Sequence, residues 1–308
     1  MIFLDADVDP GPDPDWYLPL LALCERDPQL AVVAPRVASR PGPSRRERYE
    51  SAHSPLDLGP QPARVQPRTR VSYVPSTALL CRVAALREVG GFTQEMRFGE
   101  DVDLIWRLIA AGWTCRYHPD VVVHHPPRSN WAAWCRQRVG YGSSAAALGI
   151  RHGDKVAPAH LHPISSTTWA LAVTGHLTLA AATVAGSAVA LSRRVGPGLP
   201  RDVAARIALR GSWSSGLGLA RAVRRVWWPL LVPIALWSRR VRGILLVCLL
   251  AAGPPRITTA IAICDDLCYS AGVWTGVGKG IRLQRERRAL WALFPTTSRA
   301  TRDATVRS

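Results

Sequence analysis

The strongest constraint on the fold is an alternation of period along the first 125 residues. Short apolar runs recur at residues 1–4, 30–34, 71–74 and 121–123, and longer amphipathic stretches separate them. Runs that short are read as strands. The stretches at 16–23, at 81–89 ending in Gly90-Gly91, and from 100 to Gly112 are read as helices. In the last of these Val102, Ile105, Leu108 and Ile109 share one face. Strands alternating with helices predict an α/β domain ending near residue 160. The first run stops at Asp5-Ala6-Asp7, as a buried parallel strand would on entering a functional loop. Residues 40–70 are rich in Pro, Ser and Arg with few large apolar side chains, and are expected to form a mobile excursion.

Beyond residue 160 the character changes. Residues 169–191 are an uncharged run of about the length that spans a bilayer, followed at once by Arg193-Arg194. Its Ala, Thr and Gly content and His176 weaken it as a span. Residues 226–237 and 244–252 are apolar but each too short to cross. Trp227, Trp228 and Trp237 beside arginines suit an interfacial position. Membrane association is the expectation for 161–308, and a helical domain packing these segments on one another is the alternative.

Composition narrows the partners. At 308 residues with 48% hydrophobic and 20% charged side chains, the chain has material for one or two domains and is not globally disordered. The net charge of +17 is almost all arginine, since Lys155 and Lys279 are the only lysines. A nucleic-acid binder concentrates such charge beside stacking aromatics on one surface. Here the dense pairs (Arg45-Arg46, Arg193-Arg194, Arg224-Arg225, Arg239-Arg240) lie in loops or beside apolar runs. That argues for an anionic membrane surface and against nucleic acid, with compositional bias of the source genome as the other explanation. The seven cysteines are odd in number, show no C-x-x-C, and no secretory signal starts at Met1. Buried reduced thiols in a cytosol-facing protein follow. Cys264 and Cys268, four apart, share a helical face as packing residues.

Two acidic clusters carry candidate chemistry. Asp5 and Asp7 are two apart, so on a strand they point the same way. At the carboxyl end of a parallel strand they face the crevice where α/β sheets bind ligands. Two hard carboxylates there suit Mg²⁺ or Mn²⁺ bridging a diphosphate, although turn-forming aspartates are the plainer reading, as for Asp9 before Pro10. The second cluster is Gly99-Glu100-Asp101-Val102-Asp103. Acids in a first helical turn are stabilised by the helix dipole, and Asp103 can pair with Arg107 four residues on. The alternative is that one carboxylate removes a proton from an acceptor hydroxyl.

The order of the segments adds to this. Leu-Asp-Ala-Asp at 4–7, Tyr73-Val-Pro-Ser-Thr-Ala-Leu-Leu80, Arg87-Glu-Val-Gly-Gly-Phe92, Gly99-Glu-Asp-Val-Asp-Leu104, Arg107 and Gly112-Trp113 together resemble the family 2 glycosyltransferases of GT-A fold. The resemblance implies inverting transfer from a nucleotide-activated sugar. It implies Asp5 and Asp7 as the metal and diphosphate motif, Asp101 as catalytic base and Glu100 as its helper or an acceptor contact. Asp103 of the same motif is a substrate-binding candidate, and His125 matches a position that can approach the metal or diphosphate. Downstream, Arg136-Gln-Arg-Val-Gly-Tyr-Gly-Ser-Ser-Ala145, Arg151-His152, Trp227-Trp-Pro229 and Asp265-Asp-Leu-Cys-Tyr269 leading to Gly272-Val-Trp274 resemble the mycofactocin-associated branch of that family. The implied donor is UDP-glucose and the acceptor a mycofactocin-type, peptide-derived redox cofactor. Arg138 and Tyr141 fall at acceptor- or diphosphate-contacting positions.

The fold class expected is therefore α/β: a truncated GT-A domain over 1–160, followed by a mostly helical, membrane-associated region over 161–308. The truncation is expected because family members reach the D-x-D strand after several β-α units, about 90 residues at roughly 30 each, whereas four residues precede Asp5. Loss of those units would weaken donor binding. Two other functions stay open: transfer to a lipid or cell-wall polysaccharide, and an inactive remnant with a role at the membrane.

Overall fold

The computed structural model describes residues 1–128, 130–196, 198, 200–251, 257–284 and 287–297. The chain forms two compact units, one from Met1–Val156 with Arg256–Leu290 and one from Ala157–Pro255 with Trp291–Ser308. The units thus do not follow a single cut of the chain near 160.

The first unit is built on a mixed five-stranded sheet. Its strands are β1 (Ile2–Leu4), β2 (Leu30–Ser39), β3 (Ala63–Arg64), β4 (Ala78–Cys81) and β5 (Thr114–His125), in the order β1-β4-β2-β5-β3. β2 and β5 are the parallel pair, running from Leu30 opposite Thr114 to Ser39 opposite His125 with register shifts between Leu30 and Val32 and between Pro35 and Arg36. β4 runs antiparallel to both β1 and β2. β2 is covered on both faces, and this is why its sequence is a continuous apolar run rather than an alternating one. α1 (Leu18–Arg26) buries Leu20 and Cys24 against Leu30, Val33 and Leu80. On the other side α3 (Val83–Glu88) and α4 (Glu100–Ala110) pack Ala85, Leu104, Ile105 and Leu108 into a core with Val32, Leu79 and Cys115.

Three sequence expectations change. Residues 1–4 do not form a buried parallel strand: β1 is a three-residue antiparallel edge whose Ile2 and Leu4 are 39% and 41% exposed. Residues 71–74 are not a strand, although Val71 and Val74 are buried. Apolar spacing there reports burial, and the ladder forms at Ala78–Cys81 instead. Residues 40–70 are not a loose excursion. Ser44 and Glu47 make a reciprocal capping box that starts α2 (Arg45–His53). The helix buries Arg46, Tyr49 and Glu50, β3 pairs with β5, and Asp57 accepts a fork of two bonds from Arg36, each 2.8 Å.

α5 (Trp131–His152) runs against the helix Ile257–Gln284 at very short range. A Cβ on Gly142 would lie 2.0 Å from the Tyr269 carbonyl oxygen, one on Gly272 2.1 Å from that of Val139, and one on Gly276 2.5 Å from that of Ser143. Only glycine permits this crossing.

The second unit is helical: α6 (Pro163–Thr174), α7 (Leu177–Val195), α8 (Arg201–Ala222), α9 (Trp228–Trp237) and α10 (Arg239–Leu250). A π-helical turn at Val223–Trp227 joins α8 to α9. The strands β6 (His160–Leu161) and β7 (Thr296–Thr297) pair in parallel. The helix Ile257–Gln284 of the first unit is α11. The uncharged run 169–191 is broken at Gly175, whose φ of +91° ends α6 before α7 begins. Among the described residues no helix is long and apolar enough to cross a membrane, so the expected span is not present there.

Candidate active site

The loop after β1 is held by backbone bonds at both ends. The Asp5 N–H donates to the Thr77 carbonyl at 3.0 Å, and Asp9 and His124 exchange two bonds of 2.8 Å each across the end of β5. Val8 turns inward onto Val37, Ala78 and Val123. The residue before it therefore faces the strand end, and Asp7 Oδ2 lies 3.3 Å from His125 Nε2 and 3.9 Å from Arg128 Nη1. Asp9 has a separate role: it accepts from the Gly11 N–H and from Arg40, and the Gly11 bond first, then Arg40, hold its carboxyl below the usual range.

The second cluster opens α4. Gly99 adopts φ +76° at the helix start, a left-handed conformation that favours glycine. Asp101 accepts from the Val102 N–H at 2.7 Å and from the Ser76 N–H. Ser76 and Thr77 thus hold both clusters: one residue engages the Asp101 carboxylate, the next the backbone of Asp5. Burial, and then the charge of Glu100, push the Asp101 carboxyl up to about 7. Glu100 is also raised, by burial and the charge of Asp5, and its Oε2 is buried with no hydrogen-bond partner among the described residues. Asp5, Asp7, His125, Glu100 and Asp101 therefore belong to one acidic surface of the first unit.

α5 closes that surface. Burial pushes Tyr141 up to about 12, the Asp101 charge adding to the rise while Arg138 and Arg128 oppose it. With its amide oxygen turned toward the guanidinium, Gln137 accepts from Arg128 at 3.1 and 3.3 Å and from the Tyr141 hydroxyl at 3.0 Å. Arg128 and Gln137 were not picked out from the sequence. Gln137 stands four residues before Tyr141, so the shared helix face was readable; Arg128 carried no sequence signal.

Two candidate residues are held in buried ion-pair networks. Arg138 is 1% exposed and engaged by buried acids: Glu50 Oε2 accepts from its Nη2 at 2.5 Å and from Trp134 Nε1 at 2.7 Å. Asp265 Oδ1 sits 3.0 Å from its Nε as a charge pair without hydrogen-bond alignment. Asp103 is fully buried and accepts from Thr93, Arg107, Arg151 and His152 at 2.6 to 2.8 Å. Burial alone would raise its carboxyl, but the bonds from His152, Thr93, Arg151 and Arg107 outweigh it and hold it well below the ordinary value. Both side chains are enclosed by protein partners, although Arg138 also lies over the Tyr141 ring, 6.0 Å from its centroid. A cleft of about 520 Å³ along Met1, Ile2, Tyr17 and Leu21 contains none of the candidate acids.

A mixed sheet with acids at adjoining strand and helix ends is the architecture of a GT-A-like domain. The family described as Glycosyl transferase family group 2 matches residues 2–277, and the chain belongs to it. Among curated proteins it is similar to the pre-mycofactocin glycosyltransferases of Mycobacterium tuberculosis strains CDC 1551 / Oshkosh and ATCC 25618 / H37Rv. Each is 39% identical over 300 residues, covering 89% of this chain and 63% of the relative. The chain thus spans less than two thirds of their length.

Proposed function

We propose that this chain carries the catalytic acids of an inverting glycosyltransferase that moves a hexose, glucose from UDP-glucose, onto a pre-mycofactocin acceptor. The observation that supports it best is the pairing of Asp7 with His125 beside Arg128, on the same acidic surface as an Asp101 carboxyl raised to about 7. A general base works best when its pKa lies near the operating pH. In this reading Asp101 accepts the proton of the attacking acceptor hydroxyl. The hydroxyl oxygen bonds to the anomeric carbon as the bond to the diphosphate oxygen breaks. The unpartnered Glu100 Oε2 is an acceptor for a second sugar hydroxyl. The Asp7 carboxylate and the His125 imidazole fit Mn²⁺ or Mg²⁺, with Asp5 adding negative potential nearby. When bound, the ion would neutralise charge developing on the leaving diphosphate. Arg128, steadied by Gln137, supplies fixed positive charge on the same side. The acceptor follows the printed name of the two relatives.

The test measures Mn²⁺-dependent UDP binding by calorimetry, and glucose transfer, in this chain and in a form lengthened to the span of its relatives. Asp7→Ala should weaken metal and UDP together. Asp101→Asn should leave UDP binding near the parent value and lower transfer by about 10²–10⁴-fold, the range of general-base contributions. Turnover of Asp101→Asn within a few fold of the parent would show that the base is another group. The membrane placement of the second unit is part of the same proposal; α9 and α10 expose Leu236, Trp237, Val247 and Leu250.

A further inference from the structure

A second cluster of reactive side chains lies apart from the acidic surface. Cys135 stands in the second turn of α5, and Cys264 and Cys268 stand four apart on α11. Their three Sγ atoms all lie within 4.8 Å of one another. Among the described residues this is the group of three or more potential ligand side chains whose atoms converge so closely. All three thiols are free and half-buried.

Several features favour a ligand site over a packing accident. First, the crossing of α5 and α11 is fixed by the glycine contacts at Gly142, Gly272 and Gly276, so the positions from which the thiols project are set by backbone. A preorganised set of ligands binds with little ordering cost. Second, one wall is apolar, made of Tyr49, Trp134 and Ile261. Asp265, next to Cys264 in the sequence, is already engaged by the Tyr49 hydroxyl at 3.3 Å and by Arg138. Third, the spacing suits the chemistry. Tetrahedral thiolate sites with Zn–S near ~2.3 Å hold their sulfurs about 3.8 Å apart, within reach of small rotamer changes from the observed separation. A reactive or redox role fits less well. Nucleophilic cysteines are held as thiolates by nearby cations, whereas the buried side chains packed against Cys135 and Cys264 are Tyr49, Trp134 and Ile261.

We propose that Cys135, Cys264 and Cys268 bind a soft, thiophilic cation of the Zn²⁺ class, which staples α11 to α5. On binding, each sulfur gives its proton to solvent as it takes up the metal, and water completes the coordination. The site lies two residues before Gln137 on the helix that closes the acidic surface, so the staple would steady that helix rather than take part in transfer.

The test titrates Zn²⁺, and Cd²⁺ as an ultraviolet reporter of thiolate bonding, into the reduced, chelator-treated chain. One equivalent should bind, with a charge-transfer band of three thiolates and a rise in melting temperature. Cys135→Ser, Cys264→Ser and Cys268→Ser should each weaken binding by more than about tenfold, since loss of even an outer partner of a metal site costs about 10–100-fold. Cys248→Ser, in the second unit, should bind as the parent does. Should a variant fail to fold, alkylation of the parent chain still decides: the cation should shield Cys135, Cys264 and Cys268, leaving Cys24, Cys81, Cys115 and Cys248 no better protected. Absence of a thiolate band, equal binding by the Ser variants, or loss of two hydrogens as a disulfide in place of metal uptake would overturn the proposal. Each readout is independent of sugar transfer.

Discussion

At the scale of single residues, two acids two residues apart on α4 are driven in opposite directions by their surroundings. Asp101 is raised from 3.8 to about 7 by burial and Glu100, so the folded protein holds its proton where the unfolded chain has released it. The stability this gives is complete below pH 3.8 and is lost as pH rises through about 7. Asp101→Asn should therefore raise the melting temperature at pH 8, with the gain vanishing toward pH 4. Transfer by the parent should rise through the same window as the base becomes free. Asp103 is the converse. Its carboxylate is held ionised by Arg107, Arg151, His152 and Thr93, so its stability is present above 3.8 and lost as pH falls below that value. Asp103→Asn leaves those cations short of their partner and should cost about 3–5 kcal/mol at neutral pH in urea titration. A neutral effect there would mean the network is not what holds α4 in place. The Asp103–Arg107 pair was legible from the four-residue spacing, and the bond is 2.8 Å. Arg151 and His152 were not, because they arrive from a helix about 50 residues later, and no local pattern encodes that distance.

At the scale of elements, apolar patterning found α1, α3 and α4, which each bury one face, and the strand β2, a continuous apolar run because both its faces are covered. It misplaced β4, because Val71 and Val74 are buried without joining the ladder. It missed α2 because the helix has a polar sequence; its caps and a few buried side chains hold it. The capping pair Ser44 and Glu47 was in plain view, and Ser44→Ala should cost about 1 kcal/mol by removing it. The packing of α11 on α5 was legible only as scattered glycines, for backbone contact leaves no apolar stripe to read. Gly272→Ala would place a methyl 2.1 Å from the Val139 oxygen. The helices should separate at a cost of about 1–3 kcal/mol, the range for overpacking. Chemical denaturation of the variant measures it, and Gly278→Ala, with open space around it, is the matched control.

At the scale of the whole molecule, charge and exposed apolar surface have to be explained together. The chain carries a formal +17, yet its exposed large apolar residues include Leu230, Val232, Ile234, Leu236 and Trp237 on α9 and Leu246, Val247, Leu249 and Leu250 on α10. Between them stand Arg239, Arg240 and Arg242, the last donating to the Ala235 and Leu236 carbonyls at the end of α9. Neither helix is long and apolar enough to cross a membrane, so the contact proposed is interfacial, with the apolar side chains in the headgroup boundary and arginines on anionic lipid. Each arginine near such a surface contributes about 1 kcal/mol, an attraction that salt screens within about 8–10 Å near physiological strength. Apolar insertion is not screened, and the two parts are separable. Binding to vesicles containing anionic lipid should exceed binding to neutral vesicles and should fall at high salt without vanishing. Leu236→Ser with Trp237→Ser should remove the salt-resistant part alone. Equal binding to both vesicle types would discard the electrostatic half of the reading. No binding to either would discard the membrane reading of α9 and α10 and leave unexplained an apolar surface that, left to water, favours aggregation.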